Sequence, residues 1–172
     1  MGHQITTQQL NALSTQAFTD LLADVFEHSP WVAQRAAPMR PFADIEALHR
    51  AMIVVLQQAN DAERLTLLRA HPELAGREAQ QGALTSASAG EQARAGLDAL
   101  SKSELAHIMQ LNAGYQEKHG FPFIVCVGHH TKSSILQEFE RRRNNKTPDE
   151  TQEALAQVAL IARLRLSALI AE

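Results

Sequence analysis

The sequence has little of what several classes of protein need. Its single cysteine, Cys126, excludes a disulfide within the chain and indicates a reducing compartment. No apolar stretch reaches the roughly 18 residues that span a bilayer, and the amino terminus lacks the charged and apolar regions of a signal peptide. The carboxyl end, Ile170-Ala171-Glu172, also lacks a peroxisomal Ser-Lys-Leu signal. These absences predict a cytoplasmic protein. Cys126 lies in an apolar run, where a buried structural thiol is more common than a nucleophile.

Charge and motifs exclude further classes. The net charge of −3, from 16 basic and 19 acidic residues, provides no basic surface for nucleic acid or an anionic membrane. The eight histidines include no His-Glu-x-x-His motif, no pair four residues apart and no cluster with carboxylates at metal-ligand spacing. The chain also lacks a Gly-x-Gly-x-x-Gly turn, a P-loop and a Gly-x-Ser-x-Gly elbow. We therefore expect no nucleic-acid or membrane partner, no metal site and no nucleotide site.

Hydrophobic periodicity and capping residues predict helices along most of the chain. They are Ser14–His28, a short helix from Ser29-Pro30, one opened by Asp44, one that ends at Ala70-His71, two opened by Ser88 and Ser101, Ser134–Arg143 and a terminal helix of about twenty residues from Thr147-Pro148. Three starts match a capping box, at Ser88-Glu91, Ser101-Glu104 and Thr147-Glu150. The second of the two helices opened by serine is expected to end at Gly120.

The run Phe121–Val127 is apolar and β-prone, but Pro122 has no amide donor for a central strand. We expect an extended segment that lies on the helices. A hydrophobic content of 45% gives a chain of this length enough apolar surface for one core. The sequence therefore predicts an all-α protein with a single domain over residues 1–172, a bundle of about eight helices with one short extended segment.

Arg165 interrupts an apolar stripe of the terminal helix. The stripe repeats at intervals of three and four residues and consists of Leu155, Val158, Ala162 and Leu169. An arginine turned toward a core needs an anion or several acceptors, because burial of an unpaired charge costs several kcal/mol. Arg165 is therefore a structural ion pair, a side chain whose head group extends to the solvent, or a group that binds an anion or several acceptors of a ligand. Arg163 falls on another face, so a different environment is expected for it.

His71 and Glu91 are further candidates, each with an ordinary structural explanation. His71 lies at a helix end, just before Pro72 and a long irregular stretch, a position that suits a functional side chain. A histidine at a helix carboxyl end also complements the helix dipole without any catalytic role. The predicted capping box with Ser88 explains Glu91 equally well. Alone, neither residue indicates an enzyme.

Four motifs in a fixed order carry a resemblance. They are His71-Pro72-Glu73-Leu74-Ala75-Gly76, Leu84-Thr85 with Ser88 through Glu91-Gln92, Gly120-Phe121-Pro122-Phe123-Ile124, and Ile161-Ala162-Arg163-Leu164-Arg165-Leu166. Each motif is weak alone, but the ordered set closely resembles the 2-oxo-4-hydroxy-4-carboxy-5-ureidoimidazoline (OHCU) decarboxylase family. The stretches Arg40-Pro41-Phe42 and Leu111-Asn112-Ala113-Gly114-Tyr115 extend the resemblance over nearly the whole chain.

The resemblance implies an all-α, cofactor-free lyase that forms a homodimer and acts on the small molecule OHCU. It places His71, Glu91 and Arg165 in the catalytic site. It further implies that the pocket is shaped by Pro72, Ser88, Gln92 and Phe123, with the backbone amide of Ile124 as a donor. The implied function is decarboxylation of OHCU to (S)-allantoin in urate degradation, a branch of purine metabolism.

Two alternatives remain at this point. The chain could be a non-enzymatic helical module, in which Arg165 is a structural ion pair and Phe121–Val127 docks a partner. It could also be an enzyme of the same fold that acts on a related ureido or hydroxy acid. A closed polar pocket that unites His71, Glu91 and Arg165 would exclude the first alternative, and only a direct assay separates the second.

Overall fold

The computed structural model describes residues 4–171. The α-helices are α1 Thr7–Ala12, α2 Thr15–Leu21, α3 Trp31–Ala36, α4 Ile45–Gln58, α5 Asp61–Arg69, α6 Arg77–Gln80, α7 Ser86–Arg94, α8 Lys102–His119, α9 Lys132–Arg142 and α10 Thr147–Leu169. Two 3-10 helices, Ala37–Met39 and Val127–His129, accompany them. The strands in this range are β1 Ile5–Thr6 and β2 Ile170–Ala171, which pair in parallel. The predicted all-α class is confirmed, and the two helices beyond the eight predicted are the short α1 and α6.

The described chain divides into two compact units. One, called here the terminal unit, contains residues 4–67 and 159–171, and the other, the central unit, contains residues 68–158. Helix α10 contributes its first half to the central unit and its second half to the terminal unit. Within residues 4–171 no helix is long and apolar enough to cross a membrane. That the chain is a single domain stays a prediction.

In the terminal unit, helix α4 buries the face that its sequence predicts. Asp44 accepts a hydrogen bond from the amide of Ala47 at 2.7 Å and so begins the helix. The buried side chains of α4 are Ile45, Leu48, Met52, Val55 and Leu56. On the same helix, a ring nitrogen of His49 lies 2.8 Å from the carbonyl oxygen of Ala159 in α10. The second half of α10 is thus linked to α4 by a polar contact.

The predicted helix Ser14–His28 is wrong in its length, because α2 ends at Leu21. Ser14 caps it as expected, and the apolar side chains Phe18, Leu22, Val25 and Phe26 are buried as expected. The chain beyond Leu21 forms turns instead of a continued helix. In a continued helix the carbonyl of Asp24 would bond the amide four residues on, but it accepts a hydrogen bond from Arg165 at 2.9 Å. Apolar periodicity alone could not reveal this competing partner.

In the central unit, helix α8 has the start and the end that its sequence predicts. Ser101 and Glu104 form a reciprocal capping box, and Gly120 ends the helix with a φ of 77°. The following chain, residues 122–126, belongs to no helix or strand, as expected for an extended segment. Phe121, Phe123, Ile124 and Cys126 in this region are all buried.

Two of the three predicted capping boxes are wrong. Helix α7 begins earlier than expected, and its cap is Thr85, whose hydroxyl accepts a hydrogen bond from the amide of Ser88 at 3.3 Å. Ser88 therefore lies inside the helix, and Glu91 has no capping role. At the start of α10, a ring nitrogen of His119 lies 2.9 Å from the Thr147 hydroxyl. The carboxylate of Glu150 bonds side chains of other elements instead of capping α10.

Candidate active site

The loop that follows α5 carries His71 and Pro72. Helix α5 ends at Arg69, and the amide of His71 still donates a hydrogen bond to the carbonyl of Leu68 at 3.3 Å. The side chain of His71 is buried, with 8% of the residue exposed. Because the residue before a proline is disfavoured in a helix, Pro72 sets the end of α5 and turns the chain away from it. Sequence and structure therefore agree on the position of this candidate acid/base.

Side-chain hydrogen bonds from two helices hold the loop after His71. Gln92 of α7 accepts a hydrogen bond from the amide of Ala75 at 2.9 Å, and its Nε2 lies 3.4 Å from the carbonyl oxygen of Glu73. Asn112 of α8 donates to the carbonyl of Leu74 at 2.9 Å. Ala75 has a φ of 50°, a left-handed conformation that is strained for alanine. The bond from Gln92 to its amide helps to hold this conformation.

Helix α7 presents three of the candidate residues on one face. Ser88, Glu91 and Gln92 are three and four residues apart, so they lie on neighbouring turns of the same side. Ser88 and Gln92 are buried, and Glu91 is partly exposed. Since Thr85 caps this helix, the structural explanation that the sequence offered for Glu91 no longer applies.

Glu73, next to Pro72, is packed closely against the loop backbone. A Cβ atom added to Gly76 would lie 2.6 Å from the Cβ of Glu73, so only glycine fits at position 76 without displacement of that side chain. Partial burial, together with repulsion from Glu78, raises the pKa of the Glu73 carboxyl, and Arg77 opposes the rise.

Cavities of about 450 and 340 Å³ border the loop, the first at Ala75 and Gln92 and the second at Glu73 and Gly76. Specific hydrogen bonds, more than close packing on every side, therefore fix the loop.

The extended segment places Phe123 and Ile124 against buried side chains of the central unit. The ring of Phe123 stacks on Phe139 with a centroid separation of 3.9 Å and meets Tyr115 edge-on at 5.5 Å. The carbonyl of Ile124 accepts a hydrogen bond from Arg142 at 2.6 Å. Two of the residues that the resemblance assigns to the pocket are thus held in place, Phe123 by its ring and Ile124 by its backbone carbonyl.

Arg165 is buried in the terminal unit and forms an ion pair there. Its Nη1 lies 2.8 Å from a carboxylate oxygen of Glu27, a residue with no exposed surface, and 2.9 Å from the carbonyl oxygen of Asp24. Arg163 is more exposed and contacts Glu46 and Ser167 instead. The predicted difference between the two arginines is confirmed. This ion pair is also what the structural explanation of Arg165 predicts, and it fixes the direction in which the guanidinium group points.

Seven of the eight candidate residues, all except Arg165, belong to the central unit. Gln92 contacts the loop that begins with His71 and Pro72, and Ser88 and Glu91 share its helix. Phe123 and Ile124 lie on the segment held by Arg142. Arg165 lies in the terminal unit with Glu27.

Comparisons with known proteins give the same family as the sequence motifs. The model of the family described as OHCU decarboxylase matches residues 11–167. The chain belongs to the OHCU decarboxylase family. A protein of Haloferax volcanii named 2-oxo-4-hydroxy-4-carboxy-5-ureidoimidazoline decarboxylase is 41% identical over 165 residues, which are 96% of each chain. The resemblance found in the sequence is thereby confirmed.

Two solved structures share the fold of this OHCU decarboxylase family member. A crystal structure of (S)-allantoin synthase has a TM-score of 0.78 and 27% identity, and the match covers 96% of this chain but only 54% of that one. A crystal structure of OHCU decarboxylase in the presence of (S)-allantoin has a TM-score of 0.66 and 24% identity, with coverage of 87% and 96%. The chain therefore spans about half the length of the first structure and nearly all of the second.

Sequence analysis missed several residues that support the candidate site. Asn112 lies in a stretch that resembles the family, yet only the structure connects it to the loop of His71. Glu27 follows the apolar residues Val25 and Phe26, and an acidic residue in such a stretch was an available sign of a buried pair. Arg142 lies in a run of three arginines, where nothing in the sequence separates it from its exposed neighbours.

We expect replacement of Gln92 by leucine to lower the free energy of unfolding by about 2 kcal/mol, because the buried amide of Ala75 loses its acceptor. Chemical denaturation of the variant measures this change. Gln81→Leu, at an exposed position near the same loop, is the control and should stay within about 0.5 kcal/mol of wild type. Equal losses in the two variants would show that Gln92 does not hold the loop.

Proposed function

We propose that this protein is a carboxy-lyase that converts OHCU to (S)-allantoin and carbon dioxide in urate degradation. The observation that carries the proposal is the family match over residues 11–167, which includes all eight candidate residues. The 41% identity to an OHCU decarboxylase over almost the whole of both chains supports it further. His71 in the central unit and Arg165 in the terminal unit are both buried, as expected for residues that bind a substrate away from water.

The chemistry of the substrate explains why side chains suffice for the reaction. OHCU carries a carboxylate and a hydroxyl on one ring carbon, next to a carbon that bears the ureido group and is doubly bonded to nitrogen. When the bond to the carboxylate breaks, its electron pair moves between the two carbons and the imine electrons move onto nitrogen. The substrate is its own electron sink, so we propose a cofactor-free reaction. The hydroxyl then loses its proton and becomes a carbonyl, while one proton adds to the ureido-bearing carbon and one to the former imine nitrogen, the second proton coming from solvent.

Three residues would carry out this reaction. His71 would be the general acid/base at the hydroxyl and the leaving carboxylate, because an imidazole moves protons readily near neutral pH. Glu91 would accept hydrogen bonds from ureido or ring nitrogens. Arg165, oriented by its bonds to Glu27 and Asp24, would bind a ring or ureido oxygen and stabilise the charge that develops there.

The remaining candidates would shape the pocket and hold the substrate for protonation from one face. Pro72, Ser88, Gln92 and Phe123 would line it, and the amide of Ile124 would donate to a substrate oxygen. Delivery of the proton from one face gives allantoin its S configuration. We further propose that the protein works as a cytoplasmic homodimer, in agreement with the reduced state that one buried cysteine indicates and with the family resemblance.

A direct assay tests the function. Purified protein is added to freshly generated product of urate oxidation, and the loss of its ultraviolet chromophore is followed together with the optical rotation of the allantoin formed. We expect faster loss of the chromophore than without protein and an excess of (S)-allantoin. Racemic allantoin formed at the spontaneous rate would contradict the proposal and would favour a related ureido acid as substrate.

Replacement of His71 by asparagine should lower kcat by roughly 10²- to 10⁴-fold, because a positioned acid/base group contributes about that much. Steady-state kinetics and a thermal melt are measured together. His107→Asn, on the exposed surface of α8, is the control and should keep the wild-type rate. If His71 only completes the end of α5, the variant will instead melt earlier with its rate intact.

Arg165 and Arg163 provide a matched pair two positions apart. Lysine keeps the charge but loses the planar fork that binds an oxygen through two donors. Arg165→Lys should therefore remain folded and lose roughly 10²-fold or more in kcat/KM, as expected when a donor to the developing charge is removed. Arg163→Lys should retain nearly all activity. Equal activities of the two variants would remove Arg165 from the site, and unfolding of Arg165→Lys alone would leave it a structural ion pair.

A further inference from the structure

Arg142 and Glu150 form an ion pair with no exposed side-chain surface in the central unit. Nε and Nη2 of the arginine lie 2.7 and 2.6 Å from the same carboxylate oxygen, Oε1 of Glu150. That oxygen also accepts a hydrogen bond from the hydroxyl of Tyr115 at 2.6 Å, and the other carboxylate oxygen accepts one from Asn145 at 3.0 Å. Burial raises the pKa of Glu150, but the bonds from Arg142, Tyr115 and Asn145 outweigh it and hold this pKa below its usual value. The carboxylate is therefore charged.

A pair of this kind adds little to stability by itself. Removal of two charges from water costs about as much as their attraction returns, and apolar residues of similar size often replace a buried pair without loss. The pair is accordingly best explained by the contacts that Arg142 makes beyond Glu150.

Besides a longer contact of its Nε with Glu153 at 3.8 Å, Arg142 makes two contacts with the extended segment. Nη1 of Arg142 donates a hydrogen bond to the carbonyl of Ile124 at 2.6 Å. The guanidinium carbon lies 4.5 Å from the centre of the Phe123 ring, within the range of a cation–π contact. The other side of this arrangement is closed by Phe139, which stacks on Phe123. One side chain thus holds two consecutive residues of the segment.

The amide N–H of Ile124 lies in the peptide between these two points. Residues 122–126 belong to no helix or strand, so no ladder of backbone hydrogen bonds sets the direction of that peptide. The Phe123 ring is held on one side of it and the Ile124 carbonyl on the other. Further along, the amide of Cys126 donates to Gln157 of α10 at 2.9 Å and fixes the end of the segment.

We infer that Arg142 is a positioning residue for the reaction, one that orients the amide of Ile124 toward the substrate through its contacts with the Phe123 ring and the Ile124 carbonyl. Glu150 and Tyr115 orient the guanidinium group of Arg142. The guanidinium group in turn fixes the orientation of the extended segment at Phe123 and Ile124. The inference rests on the proposed function, since it is the proposed function that brings a substrate oxygen to Ile124. Arg142 itself does not contact the substrate.

The test compares Arg142→Lys with Arg143→Lys, the same substitution at the next position. Lysine at position 142 keeps a positive charge near Glu150 but cannot bond the carboxylate and Ile124 and cover Phe123 at the same time. The side chain of Arg143 is half exposed and pairs with Glu140, so lysine there leaves both contacts of Arg142 with the segment in place. We expect a lower melting temperature for Arg142→Lys alone. Only Arg142→Lys should lose kcat/KM, by roughly 10- to 100-fold, when both are assayed well below their melting temperatures.

A second measurement keeps the inference testable if Arg142→Lys does not fold. In wild-type protein, titration with (S)-allantoin is followed by NMR at the Ile124 amide and at the Nε–H of Arg142. Shifts of both signals along one binding curve are expected. A shift at Ile124 with the Arg142 signal unmoved would overturn the inference, as would equal kcat/KM values for folded Arg142→Lys and Arg143→Lys. Wild-type protein without turnover would instead overturn the proposed function, and the inference with it.

Discussion

Several segments outside the helices and strands carry a candidate residue or lie next to one. These segments are held by hydrogen bonds between their backbone and buried side chains. Gln92 bonds the amide of Ala75, and Asn112 bonds the carbonyl of Leu74. Arg142 bonds the carbonyl of Ile124, and Arg165 bonds that of Asp24. A backbone outside helices and strands must find partners for its polar groups when it is buried. In this protein the partners project from helices, so the positions of the irregular segments follow from the helices.

The two buried arginines, Arg142 and Arg165, show how such a hydrogen bond can be restricted to one partner. Each is paired with a carboxylate that has almost no exposed surface, Arg142 with Glu150 and Arg165 with Glu27. Each also donates to a backbone carbonyl outside the regular helices. A buried ion pair adds little net stability, but loss of one partner is costly, which discourages every arrangement in which the pair is broken. The carboxylates therefore restrict where the guanidinium groups, and the chain that they hold, can lie.

The fold class, most helices, the helix end at His71 and the inward position of Arg165 were predicted from the sequence. These features depend on apolar periodicity, on prolines and on glycine at a helix end, which act through neighbouring residues. Prediction failed where a distant partner outweighs the local signal. Beyond the end of α2 at Leu21 the chain forms turns, and there the Asp24 carbonyl bonds Arg165, 141 residues along the chain. Glu150 fits a capping box in the sequence but binds Arg142 and Tyr115 in the structure. The supporting residues Asn112 and Arg142 are polar side chains with no distinctive pattern, so their roles depend on a fold that must be known first.

Helix α8 connects the two supports within the central unit. Asn112 holds the loop of His71, and Tyr115, three residues on and therefore one turn away on the same face, holds the carboxylate that orients Arg142. The helix is fixed at its start by the Ser101 capping box and ends at Gly120, just before the segment of Phe123 and Ile124. Since a helix of 18 residues bends little, the spacing between its Asn112 and Tyr115 contacts is set by the helical repeat. The loop of His71, the proposed acid/base, and the segment of the proposed amide donor are thus both held by one rigid helix. A constant distance between the two is what proton transfer and oxygen binding on a single substrate would require.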